Sequence, residues 1–160
     1  MPVERSPWKG FLAGAAGGLI ASFAMGQFLS LVLKSGNNPQ PDREDSTVKA
    51  ASAISRAIFH HELTADQKKV AGPAVHYAFG TTMAGIYGAV AEIRPSASLG
   101  FGLPFGAAVW LGAHAITVPA LGLSEPVTRS APAAQGAEFA AHLIYGAVAE
   151  GVRRFLRNSG

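Results

Sequence analysis

The sequence predicts an all-α fold: an integral membrane four-helix bundle with a short amphipathic helix in its first loop. The chain contains four long apolar stretches, each near the roughly 20 residues that a helix needs to cross about 30 Å of hydrocarbon. They lie at about residues 8–33, 73–93, 99–123 and 136–155. Only 14% of the residues are charged, and most of these lie between the stretches. We therefore expect one membrane domain, residues 1–160, with an extramembrane loop at 34–72.

The first stretch has two interpretations. Arg5 provides a basic flank and residues 22–24 a weak cleavage site, as in a signal peptide. Apolar sequence continues to Leu33, however, well beyond the roughly 7–15 residues of a signal-peptide core. We expect a membrane span.

The loop after this span contains a second pattern. From Asp45 or Ser46 onward, residues that suit a buried face recur at helical spacing, at Val48, Ala51, Ile54 or Ser55, and Ile58. This spacing is typical of a short amphipathic helix that lies on the membrane surface or caps the bundle.

The entry to the second span carries a helix-start signal. Thr64 is followed three residues later by Gln67, which matches a capping box. We expect the helical turn that begins here to be interrupted at Gly72 and Pro73. The connection at 94–98 is short, which predicts that the second and third spans are antiparallel neighbours.

The orientation follows from basic residues in the short flanking segments. With four spans, both termini and the 94–98 turn share one side of the membrane. That side carries Arg5, Lys9, Arg94, Arg153, Arg154 and Arg157. We expect both termini in the cytoplasm.

A seven-residue sequence, IYGAVAE, occurs at 86–92 and again at 144–150. Both copies lie late in spans that run in the same direction. The repeat has two explanations: parallel duplicated hairpins, as in some transporters, or coincidence between spans rich in small residues.

Small residues recur at intervals that place them on one helix face. The glycines concerned are Gly10, Gly14, Gly18, Gly26, Gly80 and Gly88. In lipid, such faces allow helices to approach closely. The spacing leaves open whether the partner is another span of this chain or a second copy.

Ionisable groups inside a span are costly and usually face a partner or a cavity. Three spans carry a stripe with a histidine and an aromatic residue, and we expect these stripes to converge in the outer half of the bundle. The candidate residues are His76, Tyr87, His114, Glu138, His142 and Tyr145. Three interpretations stay open: proton or small-solute handling, a metal or haem held by the three histidines, and hydrogen bonds between helices.

A second ionisable group lies at the other ends of the spans. Glu150 precedes Arg153 and Arg154 by three and four residues, the spacing of helix-surface ion pairs. Glu92 is the equivalent residue in the other IYGAVAE copy. We interpret these residues as anchors at the cytoplasmic interface, although paired glutamates at a bundle mouth could also gate protons.

Several function classes are disfavoured. The net charge of +3 is dispersed, without the basic and aromatic surface of a nucleic-acid-binding protein. The chain has no cysteine, which excludes disulfides and thiolate metal sites. Catalytic nucleophile motifs and phosphate-binding loops are absent from the sequence, and we expect a non-enzymatic protein.

The last three spans and the segment after them carry a set of residues that matches a known family. They include His76, Gly85, Tyr87, Glu92, Gly106, His114, Pro119, Glu138, His142, Glu150, Arg153, Arg154, Arg157 and Asn158. Through these residues the chain resembles the YagU-like family of uncharacterised bacterial inner-membrane proteins. The resemblance covers most of the chain and is most specific in the last span. It implies a multi-span inner-membrane protein with a long extracytoplasmic loop after span 1. The first loop of this chain is shorter than in longer members and lacks cysteines.

Together these observations predict a membrane protein that handles protons or a small solute through its intramembrane His/Glu site. The alternatives are an assembly protein that binds a second copy or another membrane protein through its glycine-rich helices, and a metal-binding or haem-binding protein. All three hypotheses require the lipid bilayer as a partner.

Overall fold

The computed structural model describes residues 5–35, 46–123 and 131–159. These residues form five helical elements. They are α1 (Pro7–Ser35), α2 (Ser46–Ile54, extended by a π-helical turn Ser55–Phe59), α3 (Ala65–Ile93), α4 (Leu103–Val109, extended by the π-helical Trp110–Thr117 and by Val118–Ala120) and α5 (Pro132–Ser159). A 3₁₀ turn, Pro95–Ser98, connects α3 to α4. The described part contains helices and turns without strands, which confirms the all-α class.

Helices α1 and α3 are antiparallel and touch through their glycines. A methyl group added at Gly88 would clash with the carbonyl oxygen of Gly10, and one at Gly18 would clash with that of Gly80. Backbone contact of this kind requires residues without a Cβ. The predicted glycine face therefore packs within the chain, whereas Gly26 has no atom within 4 Å of an added methyl group.

Helices α4 and α5 repeat this arrangement. An added methyl at Gly146 would clash with the carbonyl oxygen of Gly102, and one at Gly106 with that of His142. Gly88 and Gly146 are the same position of the two IYGAVAE copies. The glycine of the first copy thus packs against α1 and that of the second against the start of α4, which favours duplicated hairpins over coincidence.

The distribution of side chains is inverted relative to a water-soluble protein. The buried hydrophobic residues are mostly alanines, and the buried polar set includes two glutamates and two arginines. Large apolar side chains are exposed instead, for example Trp8 at 63%, Phe23 at 56% and Leu31 at 65%. Among the described helices, one is long and apolar enough to cross a membrane: Pro7–Val32, with a mean hydropathy of 1.6.

Two predicted boundaries are wrong. Helix α3 continues through Gly72 and Pro73 from Ala65, because the proline removes only one intrahelical bond and Gly72 lets α2 pack closely at Val48. The helix in the third apolar stretch begins at Leu103 rather than at Leu99, since Gly100 and Gly102 have positive φ angles of 73° and 77°.

The amphipathic helix in the first loop is present as α2. It buries Ala51 and Ser55 and exposes Ile54 and Ile58. The capping box that starts α3 is also confirmed: Thr64 N–H donates to Gln67 Oε1 at 2.8 Å, and Gln67 N–H donates to Thr64 Oγ1 at 3.3 Å.

Candidate functional site

Two sites lie near opposite ends of α3. Glu92, near its C-terminal end, belongs to a buried network of glutamates and arginines. His76, in its first half, lines a cavity. Their separation of 16 positions corresponds to about 24 Å along the helix, at about 1.5 Å per residue. The two sites are therefore distinct.

Glu150 is the centre of the network, and its side chain has no exposed area. Arg153 donates to both carboxylate oxygens, from Nε to Oε2 at 2.7 Å and from Nη2 to Oε1 at 2.9 Å. Arg154 Nε donates to Oε1, and the Tyr87 hydroxyl donates to Oε2 at 2.9 Å. Tyr87 stacks on Phe105, with ring centroids 4.2 Å apart. This carboxylate therefore joins α3 and α5.

Glu92 is the second carboxylate. Arg157 donates to it from Nε at 2.8 Å and from Nη2 at 3.0 Å, a bidentate pair of the geometry that arginine favours. Arg153 Nη1 lies 3.5 Å from Glu92 Oε1, and the Ser6 backbone N–H donates to Oε2 at 3.1 Å. Glu92 therefore connects α3, α5 and the residue before α1. Burial of these charges is compatible with stability because each is paired and hydrogen-bonded.

The sequence predicted part of this network. The pairs of Glu150 with Arg153 and Arg154 have the expected spacing. Glu92 pairs with Arg157, because the parallel course of α3 and α5 brings their C-terminal ends together.

The sequence did not predict that Tyr87 and Arg157 belong to this network. Tyr87, assigned above to the histidine site, points instead to Glu150. Arg157 was not among the candidate site residues. It lies one helical turn after Arg153 on the same face of α5, and this i, i+4 spacing could have identified it from the sequence.

A cavity of about 510 Å³ lies between α2, α3 and α4. Most of its wall is apolar, with Phe79, Met83 and Val109 among the lining residues. Its polar groups are the imidazole of His76 and the hydroxyls of Ser46, Thr47 and Thr117.

The cavity runs along the π-helical part of α4. Pro119 has no N–H for the carbonyl of Ala115, and the helix widens before this point. The Thr117 hydroxyl donates to the carbonyl of Gly112 at 2.6 Å. π-Helical turns occur frequently at functional sites.

The other predicted site residues are dispersed. The buried His142 bonds through Nδ1 with the carbonyl of Glu138 at 2.7 Å, and the Tyr145 hydroxyl donates to the carbonyl of Gly80. The side chain of His114 lies outside the described residues. Among the side chains that are described, no three metal-ligating groups come together.

Comparison with known proteins identifies a family. No curated protein and no solved structure is significantly similar to the chain. Residues 38–151 match the family described as Protein of unknown function (DUF1440), over more than two thirds of the sequence. The chain therefore belongs to this DUF1440 family.

Proposed function

We propose that the chain is a YagU-like, multi-span protein of a bacterial inner membrane that takes up a small, mostly apolar solute and is not an enzyme. The observation that carries the solute part is the cavity of about 510 Å³ beside His76. Sites for small molecules are concave, mainly apolar and usually about 300–1,000 Å³ in volume.

The membrane part is supported by helix length and by the inverted interior. Helices α1, α3 and α5 have 29, 29 and 28 residues, more than the roughly 20 that a span requires. Only 28% of the most apolar window of α1 is buried, unlike the core helix of a soluble protein. A lipid environment would account for the exposed apolar side chains and for the small residues of the interior, because in lipid large apolar side chains face outward and small residues pack between helices.

The cytoplasmic position of both termini is supported by the arginines at one end. Three arginines of α5 meet Glu92 and Glu150 there, and Arg5 lines a cavity at the same end. Short basic segments of this kind favour the cytoplasmic side.

The cavity is a specific departure from the internal symmetry of the bundle. The spacing from Gly10 to Gly102 and from Gly14 to Gly106 is the same 92 residues, so Val109 is the counterpart of Gly17. Gly17 allows α1 to contact Ala149 of α5. Val109 is bulkier and lines the cavity, and α4 makes little direct contact with α3, unlike the closely packed neighbours that the short connection predicted. The cavity occupies the space between these two helices.

The lining also indicates the kind of solute. Aromatic, aliphatic and methionine side chains make up most of the wall, which favours an apolar body. The His76 imidazole can donate or accept one hydrogen bond, and the Thr117 hydroxyl, which donates to the Gly112 carbonyl, can still accept one. The expected solute is apolar with a single polar group.

The absence of cysteine makes a direct test possible. Ala108 lines the cavity, whereas Ala78 is exposed on another face of α3 and does not line it. In membrane vesicles, Ala108→Cys should react with N-ethylmaleimide, itself a small and mostly apolar molecule, at least about tenfold faster than Ala78→Cys. The physical reason is that the polar groups lining the cavity admit water, so the reactive thiolate can form at residue 108, whereas a thiol that faces lipid stays protonated. Equal rates for the two variants, or no reaction of Ala108→Cys, would contradict solute entry.

The other hypotheses have less support from the geometry. The glycine face that could bind a second copy is already filled by α3, at Gly80, Ala84 and Gly88. Metal or haem binding by the histidines, and proton transfer through Glu138 and His142, stay predictions.

A further inference from the structure

A second cavity, of about 180 Å³, opens beside the glutamate–arginine network at the opposite end from His76. The polar side chains that line it come from the N-terminus, from α3 and from α5. They are Arg5, Glu92, Arg153, Arg154, Arg157 and Asn158. The cavity is therefore a junction of several chain segments rather than a patch on one helix.

The charges around this cavity do not balance. Four arginines line it, against Glu92, and adding the buried Glu150 gives 4 − 2 = +2. Both carboxylates are already shared by the three arginines of α5. Arg5 is exposed and has no ion pair with any other residue in the described part of the chain. An anion at this position would offset the excess positive charge.

The donors fit one class of anion. Guanidinium groups present planar forks of N–H donors that match the oxygens of phosphate and carboxylate groups, and arginine is favoured where phosphate is bound. The Asn158 amide adds a neutral donor. The volume of about 180 Å³ admits a headgroup phosphate but is much smaller than the His76 cavity.

We infer that this cavity binds a phosphate group, carried by the headgroup of an anionic lipid or by free phosphate. Basic pockets between helices at the cytoplasmic surface are suited to lipid headgroups. The inference does not depend on the proposed solute site, which lies at the other end of the bundle. It depends on membrane location only for the lipid source.

Arg5 and Lys9 form a matched pair for the test. They lie four residues apart, both are exposed cations, and only Arg5 lines the cavity. The full chain and the variants Arg5→Gln and Lys9→Gln would be purified in detergent and reconstituted in nanodiscs. Circular dichroism checks that all three have the same helical content.

The experiment has two arms. Thermal unfolding with inorganic phosphate, against chloride at equal ionic strength, reports binding of the free anion. Native mass spectrometry with phosphatidylglycerol, against phosphatidylcholine, reports retained lipid. We expect Arg5→Gln to weaken binding about fivefold, as for the loss of one basic residue near a membrane surface, and Lys9→Gln to leave it unchanged.

The results distinguish the source and can overturn the inference. Arg5-dependent binding in both arms indicates that phosphate alone suffices. Dependence in the lipid arm alone identifies an anionic lipid, and dependence in the phosphate arm alone identifies free phosphate. If neither arm depends on Arg5, or if Lys9→Gln causes an equal loss, the cavity is not a phosphate site.

Discussion

Replacing Glu150 with glutamine removes one negative charge from the interior while preserving the shape of the side chain. In the native protein this carboxylate, with no exposed side-chain area, pairs with Arg153 and Arg154 and accepts from Tyr87. Removing one partner of a buried ion pair costs about 3–5 kcal/mol, because the other charge stays buried without compensation. Arg154 is 44% exposed and can be hydrated, so we expect the lower end, about 3 kcal/mol.

The assay is thermal unfolding of the detergent-purified protein followed by circular dichroism. In a chain of this size, 1 kcal/mol corresponds to about 2–4 °C, so the melting temperature of Glu150→Gln should fall by about 6–12 °C. Glu62→Gln is the matched control. Its side chain is 84% exposed and 3.7 Å from Arg56, and such surface pairs contribute at most about 1 kcal/mol.

A double variant tests the physical reason. Adding Arg153→Gln to Glu150→Gln removes the buried cation that has lost its closest carboxylate and retains only the 3.5 Å contact with Glu92, so the double variant should recover part of the lost stability. If Glu150→Gln melts within about 2 °C of the native protein, as the surface control should, then the carboxylate does not hold the helix ends together and the argument is refuted.

Two further substitutions test the packing. Gly88→Ala should destabilise the protein by about 1–3 kcal/mol, because the added methyl group meets the Gly10 carbonyl. Gly26→Ala, where the methyl group meets no atom, should be neutral or stabilise the protein by up to about 1 kcal/mol. Equal melting temperatures for the two variants would argue against the close α1–α3 contact. Tyr145→Phe removes the hydroxyl that donates a hydrogen bond to the Gly80 carbonyl, so the free energy of unfolding, measured by chemical denaturation, should fall by about 1 kcal/mol. An unchanged free energy of unfolding would mean that this hydrogen bond adds nothing to stability.

Local signals in the sequence identified the helices well. Alternation of apolar and charged segments indicated all the long helices, and the Thr64–Gln67 capping box marked the start of α3. These features depend on residues close together in the chain, whose interactions follow from helical spacing alone. The ion pairs of Glu150 are of the same kind.

The remaining features of the two sites depend on how the helices pack against one another. The pair of Glu92 with Arg157 joins residues 65 apart, and its formation depends on the parallel course of α3 and α5. Helical spacing alone assigned Tyr87 to the wrong end of the bundle, because it gives the face of a side chain and not its depth relative to other helices. The cavity beside His76 was not predicted because it depends on the spacing between α3 and α4.

The repeat explains why the bundle has both a tight side and an open side. One hairpin consists of α1 and α3, and the other of α4 and α5. In each, the IYGAVAE glycine of the second helix packs against a glycine of the first, so the two hairpins are built alike. They differ at the next contact, where Gly17 in α1 corresponds to Val109 in α4. The glycine allows α1 to lie against Ala149, whereas Val109 lines the cavity between α4 and α3. Equivalent positions of the two hairpins thus border a packed interface in one case and the cavity proposed to bind a solute in the other.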